Sequence, residues 1–274
     1  MSETIRNNSQ EYEDSWANFS MREMPTASKD RATNFYINEI RRRGNMEKVA
    51  RFIDDKEKID FKIHNSPEDF LADNPEYQSD IDTNLSADDK NSLREYTGFR
   101  FSWINSAARG IWDYEKLGKE TPEAIAKVNT KISSLRQAIS KAPAPNEDFL
   151  TFRGTNLDSF KKYGVQTLSD LEAMKGQFYL EKGFTSTALV REKSFADRDV
   201  SDLWIEKSDI ELRFHISAGA SDIVALLSSE LSYYPDQTEV LINKNSLSYV
   251  QDVSFEQNGH AVVDLMFIPP EVYN

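Results

Sequence analysis

The sequence predicts an α+β protein, with helices first and strands second. Two observations carry that expectation. Apolar residues recur at helical spacing up to about residue 141, and beyond Pro145 short β-type runs take over. A third observation is that the chain has a core to bury. Of 274 residues, 39% are hydrophobic and 11% aromatic, enough for one or two domains even with 29% charged.

Residues 1–30 interleave Ser, Asn, Glu and Asp and read as a flexible polar leader, either an ordinary terminus or an export or chaperone-binding segment. Residues 31–62 carry Phe35, Ile37, Ile40, Val49, Phe52 and Ile53, with Gly44 and Asn45 splitting them into two helices. The run Arg41–Arg43 reads as a solvated face. Residues 63–85, rich in Asn, Asp and Pro, read as loop or short helices. Ser86 is an N-cap, and Asp88 and Asp89 complement the dipole of the helix it opens. Leu93, Tyr96, Trp103, Ile104 and Ala108 form its apolar face, and Gly110 ends or bends it. Thr121 caps the next helix, Pro122 occupies its first position, and Ile125, Val128, Ile132, Leu135 and Ile139 follow at spacings of three and four. Pro143 and Pro145 stop it.

Eight strand-like runs follow, at 149–152, 177–180, 184–189, 210–216, 223–227, 238–243, 248–255 and 261–268. In the fourth, Ile210, Leu212, Phe214 and Ile216 alternate with polar residues, the mark of a strand with one buried face.

Composition excludes several chemistries. There is no Cys, hence no disulfide, thiolate metal site or Cys nucleophile. Three scattered His argue against a His-rich metal site and read as surface or half-buried residues. No phosphate-cradling glycine loop and no serine-hydrolase elbow occur. A net charge of −13 disfavours nucleic acid and anionic membrane but leaves room for a small basic pocket. No apolar run is long enough for a membrane span, and the N-terminus lacks the basic start and apolar stretch of a secretory signal.

Three features stand out by position. Arg153 closes a β run in Phe-Arg-Gly-Thr, where its fork can meet a phosphate, although on this feature alone a surface Arg before a turn Gly is the better reading. Phe184-Thr-Ser-Thr-Ala places small hydroxyls in an apolar strand, so Ser186 can fix a partner side chain. Tyr233-Tyr-Pro-Asp-Gln-Thr-Glu239 runs from a turn into a buried strand. Gln237 and Glu239 are two apart and are expected on one sheet face, and an acid entering a buried strand is either paired or functional.

Their order resembles the Arg–Ser–Glu class of mono-ADP-ribosyltransferase toxins, in particular Rho-modifying clostridial exoenzymes and the enzymatic components of binary actin-modifying toxins. The resemblance covers about residues 90–268. The aromatic-Arg-Gly element matches Phe152-Arg153-Gly154 and the Gln-x-Glu element matches Gln237-Thr238-Glu239. The Ser-Thr-Ser element matches Ser186-Thr187-Ala188, with the third position departing. The helical Ile-Asn-x-x-Leu-Arg element is similar to Ile104-Asn105-Ser106-Ala107-Ala108-Arg109, preceded by aromatics at Tyr96 and Phe101, and the Phe-x-x-Arg loop to Phe195–Arg198.

The resemblance implies a mixed, mainly antiparallel two-sheet core behind a helical lobe. It also implies a catalytic domain at 86–274, a helical extension at 31–85 and the leader at 1–30. It implies NAD as co-substrate and no metal. Arg153, Gly154, Arg109, Asn105, Tyr96, Phe195 and Arg198 would hold NAD. Glu239 would stabilise the oxocarbenium-like state, and Ser186 would hold Glu239. Gln237 points to an Asn- or Gln-type protein acceptor rather than Arg, a small GTPase being one candidate, with Tyr233 or Tyr234 touching it. The alternatives are NAD glycohydrolysis, guanine modification (which the acidity of the chain disfavours) and a degenerate binding module on the same fold. A secreted or injected effector acting in a target cell's cytoplasm is expected, delivered by a non-Sec route with a secretion chaperone or translocation component.

Overall fold

The structure, a computed structural model, describes residues 30–110, 122–194, 208–257 and 259–274. The leader up to residue 29, Thr121, Phe195 and Arg198 lie outside these residues. Asp30 caps helix α1 (Arg31–Arg42) by accepting from the Thr33 amide at 3.0 Å. Gly44, at φ +74°, turns the chain into α2 (Met46–Lys56), the break expected at Gly44–Asn45. Arg41–Arg43 are exposed, and Arg42 forks onto Glu39 at 2.9 and 3.1 Å. The short helices α3 (Pro67–Asp73) and α4 (Tyr77–Asn84) follow.

Helix α5 (Ala87–Glu95) opens with a complete capping box: Ser86 and Asp89 each accept from the other's amide, at 3.2 and 3.1 Å. The long helix expected from Ser86 does not run straight. Gly98 leaves helical geometry (φ −81°, ψ −162°) within the wide turn Tyr96–Arg100, and α6 (Phe101–Arg109) restarts on a new axis. The kink rotates the apolar stripe out of phase. Tyr96 and Ile104 stay buried, whereas Trp103, expected on that stripe, is exposed. In α7 (Pro122–Lys141), Ile132, Leu135 and Ile139 are buried and Ile125, at the open end, is exposed.

All eight expected strands form: β1 (Phe149–Thr155), β2 (Phe178–Glu181), β3 (Thr185–Ala188), β4 (Ile210–Ile216), β5 (Ile223–Leu226), β6 (Glu239–Ile242), β7 (Ser246–Phe255) and β8 (Ala261–Ile268). Their order is β2-β7-β8-β4-β1-β3-β6-β5. β4 and β8 are parallel and every other pair is antiparallel. The two-sheet character survives as a seam. A five-stranded half and a three-stranded half meet through a single residue pair, Phe152 with Ala188. Ala188 is buried in that seam and opposite Glu239, which accounts for an apolar residue at the departing motif position.

Strand alternation divides the core between two faces. Val263, Leu265 and Phe267 pack in the larger cluster with Leu93, Leu135 and Ile139, while Met266 and Ile268 pack in the smaller one with Ile37, Ile40, Val49 and Ile53. Residues before Ser86 are not a separate body: Phe70, Tyr77 and Ile81 belong to the larger cluster, and the Tyr77 hydroxyl accepts from the Ala225 amide of β5 at 2.9 Å. Burying the phenol raises its pKa. Among the described residues, no helix is long and apolar enough to cross a membrane.

Candidate active site

A cleft of about 510 Å³ opens between the α5–α6 kink and the seam of the sheet. Tyr96, Asn105, Arg109, Arg153, Ser186, Tyr234, Gln237 and Glu239 line it, together with Gly98 and Phe101. Residues spread over more than 140 positions of sequence thus converge.

Its floor is set by β3 and β6. Ala188 lies opposite Glu239, so the side chain of Ser186, two residues earlier, reaches Glu239 diagonally on the same face. The Ser186 hydroxyl donates to Glu239 Oε1. Glu239 is 8% exposed, and burial pushes its carboxyl up to about 7, against a smaller downward pull from the Arg153 charge. Arg153 reaches across the seam and donates from Nη1 to the Ser186 carbonyl oxygen at 2.7 Å.

Gln237 and Glu239 share the cleft, but not because they alternate along a strand. Gln237 ends the tight turn Pro235–Gln237, and β6 begins only at Glu239. Between them Thr238 adopts the left-handed region (φ 49°, ψ 41°), which is unusual for a β-branched residue. Its carbonyl accepts from the Leu189 amide at 2.8 Å and its hydroxyl from the Val190 amide at 3.3 Å, bonds that hold the strained conformation.

The helical wall is built around Asn105. Its amide donates to the Tyr96 hydroxyl at 2.8 Å and its Oδ1 accepts from the Phe184 amide at 2.8 Å, fastening α6 to the start of β3. Burial and the nearby Glu239 charge raise the Tyr96 phenol, which stays protonated. Arg109 donates from Nε to Glu181 at 2.9 Å, and Glu181 also accepts from the Gly183 amide at 2.7 Å. Burial pushes the Glu181 carboxyl up, but Arg109 and the Gly183 amide together hold it below its ordinary range. A Cβ at Gly183 would lie 2.9 Å from both Asn105 Oδ1 and Arg109 Nε, so the glycine admits the close approach of helix and strand.

Two of the candidates stand apart. Gly154 does not line the cleft, and its amide donates to the Ser194 carbonyl at 2.9 Å. Tyr233 packs outward against Gly98, with the Arg94 guanidinium 4.6 Å from its ring centre, while Tyr234 faces the cleft. Glu181 escapes the sequence reading. The available signal is an acid closing an otherwise apolar strand. His64, expected at or near the surface, is fully buried because it packs edge-on to Phe70.

Several solved structures share this architecture. C3stau2 from S. aureus, determined with NAD, is 22% identical, covers 77% of this chain and 100% of its own, and superposes with a TM-score of 0.60. Plx2a, an ADP-ribosyltransferase toxin from Paenibacillus larvae, is 22% identical over 77% of this chain and 99% of its own, with a TM-score of 0.56. The C3 exoenzyme of Clostridium limosum is 18% identical over 77% of this chain and 98% of its own, with a TM-score of 0.56. The fold is therefore that of the toxin-type mono-ADP-ribosyltransferases. A family model described as ADP-ribosyltransferase exoenzyme matches residues 74–266, and the chain belongs to that family of enzymes. No curated protein sequence matches it.

Proposed function

We propose that the cleft binds NAD and that the enzyme transfers its ADP-ribose to an Asn- or Gln-type side chain of a protein, with a small GTPase as candidate acceptor. The observation that carries the reading is the pairing of a buried carboxylate, Glu239, with Ser186 beneath a cleft whose cations are Arg109 and Arg153. A chain of net charge −13 keeps these two arginines where a pyrophosphate would need them.

Loss of nicotinamide builds positive charge on the ribose. The Glu239 carboxylate meets that charge more strongly in the transition state than in the ground state, from a site that water scarcely reaches. Ser186 keeps the carboxylate aimed. Arg153 and Arg109 hold the diphosphate and Tyr96 and Asn105 shape the helical wall. Phe195 and Arg198 keep the NAD-binding role that the resemblance gives them, while Gly154, outside the cleft, acts through its neighbour Arg153. Gln237, a neutral amide at the rim, suits an amide acceptor, and Tyr234 is the aromatic placed to touch the acceptor protein. Residues 86–274 form the catalytic unit, 31–85 an extension that buttresses it, and 1–30 the leader. An effector delivered to a target cell accommodates this reading.

The test is incubation with labelled NAD and target-cell lysate, followed by mass spectrometry of the acceptor. Label on Asn or Gln with wild type, and none with Glu239→Ala, is expected. Label on Arg would overturn the role given to Gln237. Nicotinamide release without labelled protein would replace transfer by hydrolysis.

A further inference from the structure

A second cluster of chemistry lies at the other end of β1, independent of the cleft. His64 sits in the loop before α3, Asp73 is the last residue of α3, and Glu147 precedes β1 by two residues. Arg153 lies six positions after Glu147, about 20 Å of extended chain. One ligand atom from each of His64, Asp73 and Glu147 lies within 4.8 Å of the others.

His64 is 1% exposed, and its Nε2 lies 2.8 Å from Glu147 Oε1. That contact is too poorly aligned to be a hydrogen bond, and neither ring nitrogen finds a hydrogen-bond partner among the described residues. A buried imidazole without a well-formed hydrogen bond, 2.8 Å from one carboxylate and within 4.8 Å of a second, is costly for a site with no use for it. Phe70 and Phe149 fix the ring plane, with centroids 5.5 and 5.9 Å away. The Asn74 side chain fixes Glu147, donating to Oε1 at 3.1 Å. Asp73 and Glu147 keep part of their carboxylates in solvent, so the cluster has an entrance.

Lys62 is the cation now facing these acids. Its ammonium bonds Asp73 and lies 3.9 Å from Glu147, and its side chain is half exposed. From this arrangement we infer that His64, Asp73 and Glu147 form a binding site for a divalent transition-metal ion of the zinc class, with Lys62 as a built-in competitor. One imidazole nitrogen and two carboxylate oxygens make a donor set that suits zinc, and the nitrogen argues against calcium or magnesium. Two anionic ligands balance a divalent charge. Bonds of about 2.1 Å imply ligand atoms roughly 3.4 Å apart, so the two partly exposed carboxylates close in by rotating. The bound ion would staple the loop before α3 to the head of the strand that carries Arg153.

The test is titration of the full-length, tag-free protein with Co²⁺, read by the visible absorption of a tetrahedral site, and with Zn²⁺, read by calorimetry and melting temperature. With no Cys in the chain, thiolates cannot contribute to either signal. One equivalent is expected to bind wild type, Lys62→Ala to bind about tenfold more tightly, and His64→Gln, Asp73→Asn and Glu147→Gln to bind at least tenfold more weakly. Circular dichroism checks that each variant is folded. The surface change Asp73→Asn decides the matter should the buried His64→Gln fail that check. Absence of one-equivalent binding in both wild type and Lys62→Ala overturns the proposal and leaves a simple His64–Glu147 ion pair. Binding that survives unchanged in Asp73→Asn and Glu147→Gln overturns it equally.

Discussion

Arg109 is gripped from behind by Glu181, which accepts from its Nε at 2.9 Å while also taking the Gly183 amide. The bond engages the Nε of a guanidinium whose residue lines the cleft. Glu181→Gln keeps the shape and removes the charge. We expect KM for NAD to rise by roughly tenfold with a smaller change in kcat, because a looser Arg109 weakens ground-state and transition-state binding alike. Steady-state kinetics separates the two, and a loss confined to kcat would refute this role.

Glu239→Gln should abolish transfer, by about 10²–10³-fold or more in rate. It should also stabilise the fold at alkaline pH. The folded-state carboxyl is held up at about 7 against an ordinary value of 4.5, so folding favours the protonated form. That contribution is complete below the unfolded value and is lost as pH rises through about 7. Above that pH the buried charge costs on the order of a few kcal/mol, which the amide escapes. Thermal melts at pH 8 should place the variant several degrees above wild type, with the gap narrowing toward pH 5.

The same group sets the pH profile. Only the carboxylate opposes positive charge on the ribose, so kcat/KM for NAD should climb with pH through about 7 and then level off. Glycohydrolase assays between pH 5.5 and 9 suffice to see it. A profile that is flat across this interval would mean that Glu239 ionises well below neutrality in the free enzyme.

Thr238 offers a test of positioning. Thr238→Gly relieves the left-handed strain but frees the turn that carries Gln237, and the added freedom of the unfolded chain offsets the relief. Stability should move by less than about 1 kcal/mol. The ratio of protein transfer to NAD hydrolysis should fall severalfold, since hydrolysis needs Glu239 but no aligned acceptor.

Much of this was legible in the chain. Hydrophobic period and turn residues locate all eight strands, because the runs are short, rich in apolar residues, and mostly begin or end at Gly, Pro, Asn or Asp. The cleft residues Ser186 and Glu239 announce themselves as polar groups inside such runs, and Arg153 as one at a run's end. What stays hidden is set by tertiary geometry. The non-helical backbone at Gly98 cannot be read from a glycine that a helix would tolerate, and it decides that Tyr96 is buried while Trp103 is exposed. The shared position of Gln237 and Glu239 rests on the backbone of Thr238 rather than on strand alternation. Glu181 gains meaning only once α6 has brought Arg109 to it.

The seam between Phe152 and Ala188 gives Arg153 a second occupation. One residue pair of ladder joins the two halves of the sheet, and the bond from Arg153 to the Ser186 carbonyl crosses the same gap. Glu239 and Ser186 ride on the smaller half and Arg153 on the larger. The cleft is thus mounted across a joint rather than on a single plate. In the proposed reading, the arginine that grips the diphosphate is also the rivet across this joint, so loss of its side chain would weaken ligand binding and the register of β3 against β1 together.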